Sequence, residues 1–296
     1  MGSLAKRIFI FLLGVPAIAA AVLLLPQFNH LAFNLLVVVF SSLGAVELSA
    51  MLATKNLHIS KAKAAFLGAL LPATVTVVAT VAAVYDYDRS GSIATYVAYH
   101  PLGFIFAVAT AGIIFLLVSN VFCRGEKLEN FANEMVAGFS VLMYPGMLLS
   151  WLVLLSSSYS SGILILGFLV MVFLGDSLAW LTGMLFGKSN RGIVPASPNK
   201  SIAGFAGGIL GPVLVGIAME YFLPGFFGHE SIIYSAVLGL VTGCAAILGD
   251  LCESAIKRSC GVKDSGTLMM GRGGVLDSID SIAMAAPVFY CFVTWG

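Results

Sequence analysis

The chain has 296 residues, of which 59% are hydrophobic and 10% are charged, and its formal net charge is +1. A soluble domain carries about a quarter of its residues as charged side chains, so this composition and a mean hydropathy of +1.02 exclude that class. The balanced net charge gives no reason to expect a nucleic-acid partner. We therefore predict an all-α, polytopic integral membrane protein.

Nine apolar segments are long enough to cross the hydrocarbon core as helices, which takes about 20 residues each. In chain order they are approximately 8–25, 31–53, 64–85, 94–122, 133–156, 161–186, 204–226, 231–255 and 277–295. The first segment follows Lys6 and Arg7 but is longer than the apolar part of a usual signal peptide. We expect it to be retained, which gives about nine transmembrane helices.

The distribution of Lys and Arg predicts the orientation of these helices. With nine spans, every basic residue except Arg89 falls at the N-terminus or in loops on one side of the membrane. Cytoplasmic loops carry the excess of Lys and Arg in membrane proteins. The N-terminus and the loops at 187–203 and 257–276 are therefore predicted to be cytoplasmic, and the C-terminus is predicted to lie outside.

The cysteines form no C-x-x-C pair and lie in or beside apolar segments, at Cys123, Cys244, Cys252, Cys260 and Cys291. This placement favours buried small hydrophobic side chains over a disulfide framework or a zinc site. Three glutamates also lie within predicted spans, namely Glu47, Glu134 and Glu220. We interpret them as helix–helix contacts in preference to the lining of a lipid groove.

Acidic residues from distant segments converge near the predicted cytoplasmic ends of the spans. They are Asp176, Asp250, Glu253, Asp277 and Asp280. Carboxylates at this depth are costly and usually pair, bind an ion or line a wet cavity. Helical spacing places Asp250 and Glu253 on one stripe with Lys257, and Asp277 with Asp280 on another.

Two carboxylate stripes that face each other would repel without a cation between them. Hard oxygen ligands near a basic, glycine-rich loop suit Mg²⁺ that is shared with phosphate oxygens. The alternative is that the acids form interfacial salt bridges with neighbouring Lys and Arg. That alternative accounts for single residues better than for the whole set.

Two polar loops have the composition of anion-binding segments. In the stretch 257–281, glycines allow backbone N–H groups to approach a phosphate, and Lys257, Arg258 and Lys263 supply charge. The stretch 187–208 combines Pro195 and Pro198 with basic and hydroxyl side chains. A flexible loop is the alternative for the first stretch, and an ordinary basic cytoplasmic loop is the alternative for the second.

Several motifs carry a resemblance to a known family. G-D-L-x-E-S-x-x-K-R at 249–258, K-D-S-G at 263–266 and G-x-G-G-x-x-D-x-x-D-S at 271–281 resemble the C-terminal signature of phosphatidate cytidylyltransferases, also called CDP-diacylglycerol synthases. S-P-x-K-S at 197–201 and G-D-S-x-A-W at 175–180 resemble that family's upstream motifs. A long, gapped pattern of polar residues is more specific than a single glycine motif.

The chain departs from the family pattern at three positions. Arg272 stands where the family usually has His, Ser278 where it has Arg, and Ala203 where it often has Glu. A histidine acid or base is therefore not carried over to this chain.

The resemblance implies Mg²⁺-dependent transfer of CMP from CTP to phosphatidic acid, forming CDP-diacylglycerol and pyrophosphate. It places a multi-pass protein in the plasma or inner membrane, with the active site facing the cytoplasm. The lipid bilayer is then a partner, a homodimer is one option for assembly, and nucleic acid is excluded. Residues 1–156 would provide lipid access or packing, and residues 157–296 would form the catalytic region.

The resemblance also implies residue roles. The expected catalytic residues are Asp250, Lys263, Asp264, Asp277 and Asp280, of which Asp250, Asp277 and Asp280 would hold the metal. The expected substrate-binding residues are Asp176, Lys188, Ser197, Lys200, Ser201, Glu253, Ser254, Lys257, Arg258, Arg272, Gly273 and Gly274.

Three other functions remain open. A CTP-dependent polyprenol or dolichol kinase would transfer the γ-phosphoryl group to an alcohol. A CDP-alcohol phosphotransferase would need an Ala-Arg element and acidic spacing that this chain lacks. An ion-coupled transporter would also contain intramembrane acids, but near the midplane and often with internal repeats.

Overall fold

The computed structural model describes residues 3–84, 101–119, 121, 124–158, 160–269 and 273–295. Arg89, Cys123 and Arg272 lie outside these described residues. Within them the regular secondary structure is helical, apart from isolated β-bridges that pair Arg191 with Ser201 and Met269 with Gly273. The all-α prediction is confirmed.

The helices follow the apolar segments of the sequence. The α-helices are α1 (Ser3–Leu23), α2 (Gln27–Ala53), α3 (Lys61–Val84), α4 (Pro101–Val118), α5 (Glu126–Glu129), α6 (Phe131–Val141), α7 (Leu148–Leu154), α8 (Ser161–Phe186), α9 (Ile202–Phe222), α10 (Ile232–Ser259) and α11 (Leu276–Trp295). A π-helical turn at Leu142–Met147 joins α6 to α7, and a 3-10 turn at Leu155–Ser157 follows α7.

Seven helical segments within the described residues are long and apolar enough to cross a membrane. They are Gln27–Ala53, Lys61–Val84, Phe131–Ser157, Ser161–Phe186, Ile202–Phe222, Ile232–Ser259 and Leu276–Trp295. Shorter apolar helices at Leu13–Leu23 and Leu102–Val118 coincide with the first and fourth predicted spans. The chain is a polytopic membrane protein, while the count of nine spans and the cytoplasmic N-terminus stay predictions.

Unit 1, one of two compact units, comprises Met1–Gly162 and Cys260–Ser278. In this unit α2 packs against α3 so closely that a Cβ on Gly68 would overlap the Cβ of Ala45. The hydroxyl of Ser41 lies 2.7 Å from the carbonyl oxygen of Gly68 and 2.9 Å from that of Pro145 in the π-helical turn. The Ser41 hydroxyl thus links α2 to α3 and to the π-helical turn.

Unit 2 comprises Ile163–Ser259 and Ile279–Gly296, and its helices approach each other through glycines. A Cβ on Gly211 would lie 2.8 Å from the backbone nitrogen of Gly175, and one on Gly239 would overlap the carbonyl oxygen of Pro212. Small residues allow such close contact between helices in a membrane, where hydrophobicity alone does not favour helix association. This packing fixes α10, which carries Asp250 and Glu253.

The described cysteines are free, so none of them forms a disulfide. Cys260 is buried and Cys244 and Cys291 are half-buried, but Cys252 is exposed. The prediction of burial is wrong for Cys252, because this residue lies on the outer face of α10 while the following residue, Glu253, points inward.

Candidate active site

An acidic cluster in unit 2 is formed by Asp250 and Glu253 near the end of α10 and by Asp280 near the start of α11. Glu253 is fully buried and Asp280 is 6% exposed. Asp280 is close enough to Asp250 and Glu253 for their charges to interact. The approach depends on Gly249, where a Cβ would overlap the carbonyl oxygen of Asp280.

Two lysines flank this acidic cluster. Nζ of Lys200 lies 2.5 Å from Oδ2 of Asp250, and Nζ of Lys257 lies 2.7 Å from Oε2 of Glu253. The Ser254 hydroxyl also lies 3.5 Å from Oδ1 of Asp250. The salt-bridge interpretation that the sequence left open therefore describes these two pairs.

The loop before α9 places Lys200 at the cluster. Its last residue, Ser201, is the N-cap of α9, because its side-chain oxygen accepts a hydrogen bond of 3.0 Å from the Gly204 N–H. Ser201 is 2% exposed, so the hydroxyl predicted to bind substrate is used within the fold. Nε of Arg258 donates to the carbonyl oxygen of Ala196 at 3.3 Å, which ties the same loop to the end of α10.

The remaining predicted residues of unit 2 lie at its surface. Asp176 on α8 and Lys188 in the following loop are exposed, and Ser197 is half-buried. The Ser197 N–H donates to the carbonyl oxygen of Val194 at 3.0 Å. The loop fold thus explains the position of Ser197, while its substrate role stays a prediction.

Asp277 belongs to unit 1, where its carboxylate organises the loop before α11. Oδ2 of Asp277 accepts hydrogen bonds from the Ser265 N–H at 3.0 Å and from the Gly274 N–H at 2.6 Å. The Ser265 hydroxyl lies 3.0 Å from the same oxygen. At Gly274, a backbone donor expected to face a phosphate therefore binds a carboxylate of the chain. Lys263 and Asp264 are exposed in the same loop.

Glu47 on α2 caps the start of α11. Oε1 accepts from the Val275 N–H at 2.9 Å, and Oε2 accepts from the Leu276 N–H at 2.9 Å. The Ser265 hydroxyl also donates to Oε2 at 2.9 Å. The sequence-based interpretation of Glu47 as a helix-packing contact is incomplete, because both of its carboxylate oxygens accept hydrogen bonds from the loop and the helix start.

The sequence did not predict that Ser265 forms hydrogen bonds with Glu47 and Asp277, or that Glu47 forms them with the start of α11. One signal in the sequence could have identified Glu47. It is an acidic residue within a predicted span that has no Lys or Arg at helical spacing to pair with it. Glu134 and Glu220 do form the expected helix–helix contacts: Glu134 pairs with Lys63 on α3 at 2.5 Å, and Glu220 accepts from the Ser235 hydroxyl on α10 at 3.1 Å.

The donor chemistry of the acidic cluster fits Mg²⁺, because the cluster offers carboxylate oxygens. Across the part of the chain that the structure describes, no group of three or more His, Cys, Asp or Glu side chains could hold a metal ion. Mg²⁺ is usually bound by one or two carboxylates together with substrate phosphates and water, so it needs no such protein cage. Asp250 and Asp280 provide such a carboxylate pair.

Comparison with known proteins gives several relatives that are named phosphatidate cytidylyltransferase. A phosphatidate cytidylyltransferase of Thermotoga maritima is 32% identical over 194 residues, which are 64% of this chain and 67% of that protein. Those of Synechocystis sp. and Haemophilus influenzae are each 38% identical, over 41% and 45% of this chain. The chain covers 40% and 46% of these two proteins, which is less than half of their length.

The family comparison extends over nearly the whole chain. Residues 5–295 match the sequence model described as the cytidylyltransferase family. This range includes α2, which carries Glu47, and the cluster of Asp250, Glu253 and Asp280. The chain therefore belongs to the cytidylyltransferase family.

Proposed function

We propose that this protein transfers CMP from CTP to phosphatidic acid, with Mg²⁺, at the cytoplasmic face of a membrane. The observation that carries the proposal is the acidic cluster with Lys200 and Lys257 beside it, on apolar helices. Membership of the cytidylyltransferase family and the names of the relatives support the same choice. The acyl chains of the lipid would stay in the bilayer while CTP arrives from the cytoplasm.

In the proposed reaction, an oxygen of the phosphatidic acid phosphate attacks the α-phosphorus of CTP. A P–O bond forms, the bond from the α-phosphorus to the oxygen that bridges to the β-phosphate breaks, and pyrophosphate leaves with that electron pair. Both reactants are anions, so charge neutralisation and in-line positioning carry most of the catalysis. A phosphate monoester is already ionised near neutral pH, so the chain needs no strong base.

Asp250 and Asp280 are the residues that would hold Mg²⁺, and the charge of Glu253 lies near Asp280. When bound, the ion would supply charge stabilisation to phosphate oxygens. Lys200 orients Asp250, and Lys257 orients Glu253. Asp277 as a third ligand, substrate contacts from Lys263, Arg258 and Arg272, and a homodimer stay predictions.

The test uses purified protein in detergent with phosphatidic acid, Mg²⁺ and CTP labelled at the α-phosphate. Asp250→Asn is the informative variant, because Asp277→Asn would also disturb the loop that Asp277 holds. Glu230→Gln, which alters an exposed acid of unit 2, is the matched control. We expect labelled lipid from the wild type and the control, and a loss of at least about 100-fold in Asp250→Asn.

Absence of labelled lipid from folded wild-type protein would overturn the proposal. Transfer of a γ-label to a polyprenol would instead identify a lipid kinase. Ion flux into liposomes without CTP turnover would identify a transporter.

A further inference from the structure

We infer that Glu47 is a positioning residue for the proposed cytidylyl transfer. It lies on α2, in the part of the chain to which no site residue was assigned, and it holds Ser265 and the start of α11. Through them it fixes the orientation of Asp277. The inference rests on the proposed function, but its first test is independent of activity.

The carboxylate of Glu47 satisfies donors that have no partner within their own helix. The first N–H groups of an α-helix lack an intrahelical acceptor, and an anion there also interacts favourably with the helix dipole. Glu47 accepts from the N–H groups of Val275 and Leu276, each at 2.9 Å. Both donor residues have no exposed surface, so without this acceptor their N–H groups would be buried and unsatisfied.

The Ser265 hydroxyl connects Glu47 to Asp277. It lies 2.9 Å from Oε2 of Glu47 and 3.0 Å from Oδ2 of Asp277, and the residue is 7% exposed. A hydroxyl has a single proton, so it donates to one of these carboxylates at a time. The Asp277 N–H donates back to the same hydroxyl oxygen at 3.3 Å. The hydrogen bonding of Asp277 thus depends on the position of Glu47.

Two glycines make room for the Glu47 carboxylate. A Cβ on Gly266 would overlap Oε1 of Glu47, and a Cβ on Gly274 would overlap Oε2 of Glu47 and the Ser265 hydroxyl. Close approach of the backbone to the carboxylate therefore requires glycine at both positions. Two of the glycines that were predicted to cradle a phosphate therefore lie against a side chain from α2.

The first test measures hydrogen–deuterium exchange in full-length protein in detergent. Glu47→Gln places an amide N–H₂ or a weaker neutral acceptor against the donors from Val275, Leu276 and Ser265. We expect amide exchange in a peptide covering 273–277 to rise about tenfold, while peptides from α9 and α10 are unchanged. Glu134→Gln, which removes the charge of another partly buried acid in unit 1, is the control and should leave 273–277 protected.

The second test separates positioning from mere stabilisation. We expect Glu47→Gln to lower kcat for CMP transfer about 10- to 100-fold, with little change in KM for phosphatidic acid. Ser265→Ala should lower kcat similarly. The double variant should be no slower than the slower single variant, because both changes break one connection to Asp277.

Unchanged exchange at 273–277 in Glu47→Gln would overturn the inference. Raised exchange with wild-type kcat would overturn it as well, since Glu47 would then be a structural cap without influence on the reaction. Additive losses in the double variant would also count against it. If the wild type is inactive while Glu47→Gln still raises amide exchange, the proposed function and the positioning role are both wrong. Glu47 is then only a cap of α11.

Discussion

Nζ of Lys200 lies 2.5 Å from Oδ2 of Asp250, and the next residue after Lys200 is the N-cap of α9. A helix cap therefore sets where the ammonium group meets the carboxylate. The side chains are 24% and 39% exposed, so the pair stabilises the fold by about 1 kcal/mol or less. Its main consequence is the geometry of the acidic cluster.

Replacing this ammonium group should affect activity more than stability. We expect Lys200→Met to lower CMP transfer at least about tenfold, because Asp250 loses the partner that orients it. The free energy of unfolding should fall by about 1 kcal/mol at most. Both are measured in detergent against Lys61→Met, which removes an exposed lysine from the start of α3. CMP transfer at the wild-type rate in Lys200→Met would contradict the role of Lys200 in orienting Asp250.

Removal of divalent metal should stop the proposed reaction. We expect a chelator to abolish CMP transfer and excess Mg²⁺ to restore it, because Asp250 and Asp280 share the ion with substrate phosphates. In Asp280→Asn, the Mg²⁺ concentration for half-maximal rate should rise by about 10-fold or more. Glu230→Gln should need the same Mg²⁺ concentration for half-maximal rate as the wild type. Full activity in chelator would rule out the metal role of the acidic cluster.

A methyl group at Gly274 should disturb the start of α11. Its Cβ would overlap the Ser265 hydroxyl and the Glu47 carboxylate, so the loop has to shift. We expect Gly274→Ala to reduce CMP transfer at least about tenfold, since displacement of the loop would move Asp277, which accepts from the Gly274 N–H. Gly14→Ala is the control, because a Cβ there meets no atom within 4 Å. Equal rates for the two variants would show that the loop tolerates the displacement.

Helix packing in unit 2 should be sensitive to the addition of one methyl group at Gly239. A Cβ on Gly239 would overlap the backbone of Pro212, and backbone moves less easily than a side chain. We expect Gly239→Ala to lower the free energy of unfolding by about 1–3 kcal/mol. Thermal unfolding in detergent measures this loss against Leu240→Ala, which truncates a side chain that is 41% exposed. A smaller loss in Gly239→Ala than in Leu240→Ala would contradict the tight contact.

The features that the sequence predicted are those that local patterns encode. Long apolar runs predict helices, because a chain in hydrocarbon has to satisfy its backbone hydrogen bonds internally. The spacing of Glu253 and Lys257 predicts that they meet, since residues four apart share a helix face, and they form an ion pair.

The cap could not be predicted in the same way. Glu47 and Ser265 are separated by 218 positions, and no periodicity relates them. The glycines near Ser265 also allow two interpretations, because phosphate and carboxylate groups both accept hydrogen bonds from backbone N–H groups. Only the folded chain distinguishes a carboxylate of the protein from a bound anion at Gly274.

The separation of Glu47 from its partners has a consequence for biosynthesis. The Glu47 carboxylate is made 229 residues before the Leu276 N–H that it binds. During translation, α2 therefore enters the membrane before the hydrogen-bond donors for Glu47 have been made. A carboxylate at this depth without its partners is energetically costly. The donors at Val275 and Leu276 follow α3 to α10 in the chain, so a product truncated before α11 lacks the cap. The cap can therefore close only after the chain has been translated through the start of α11.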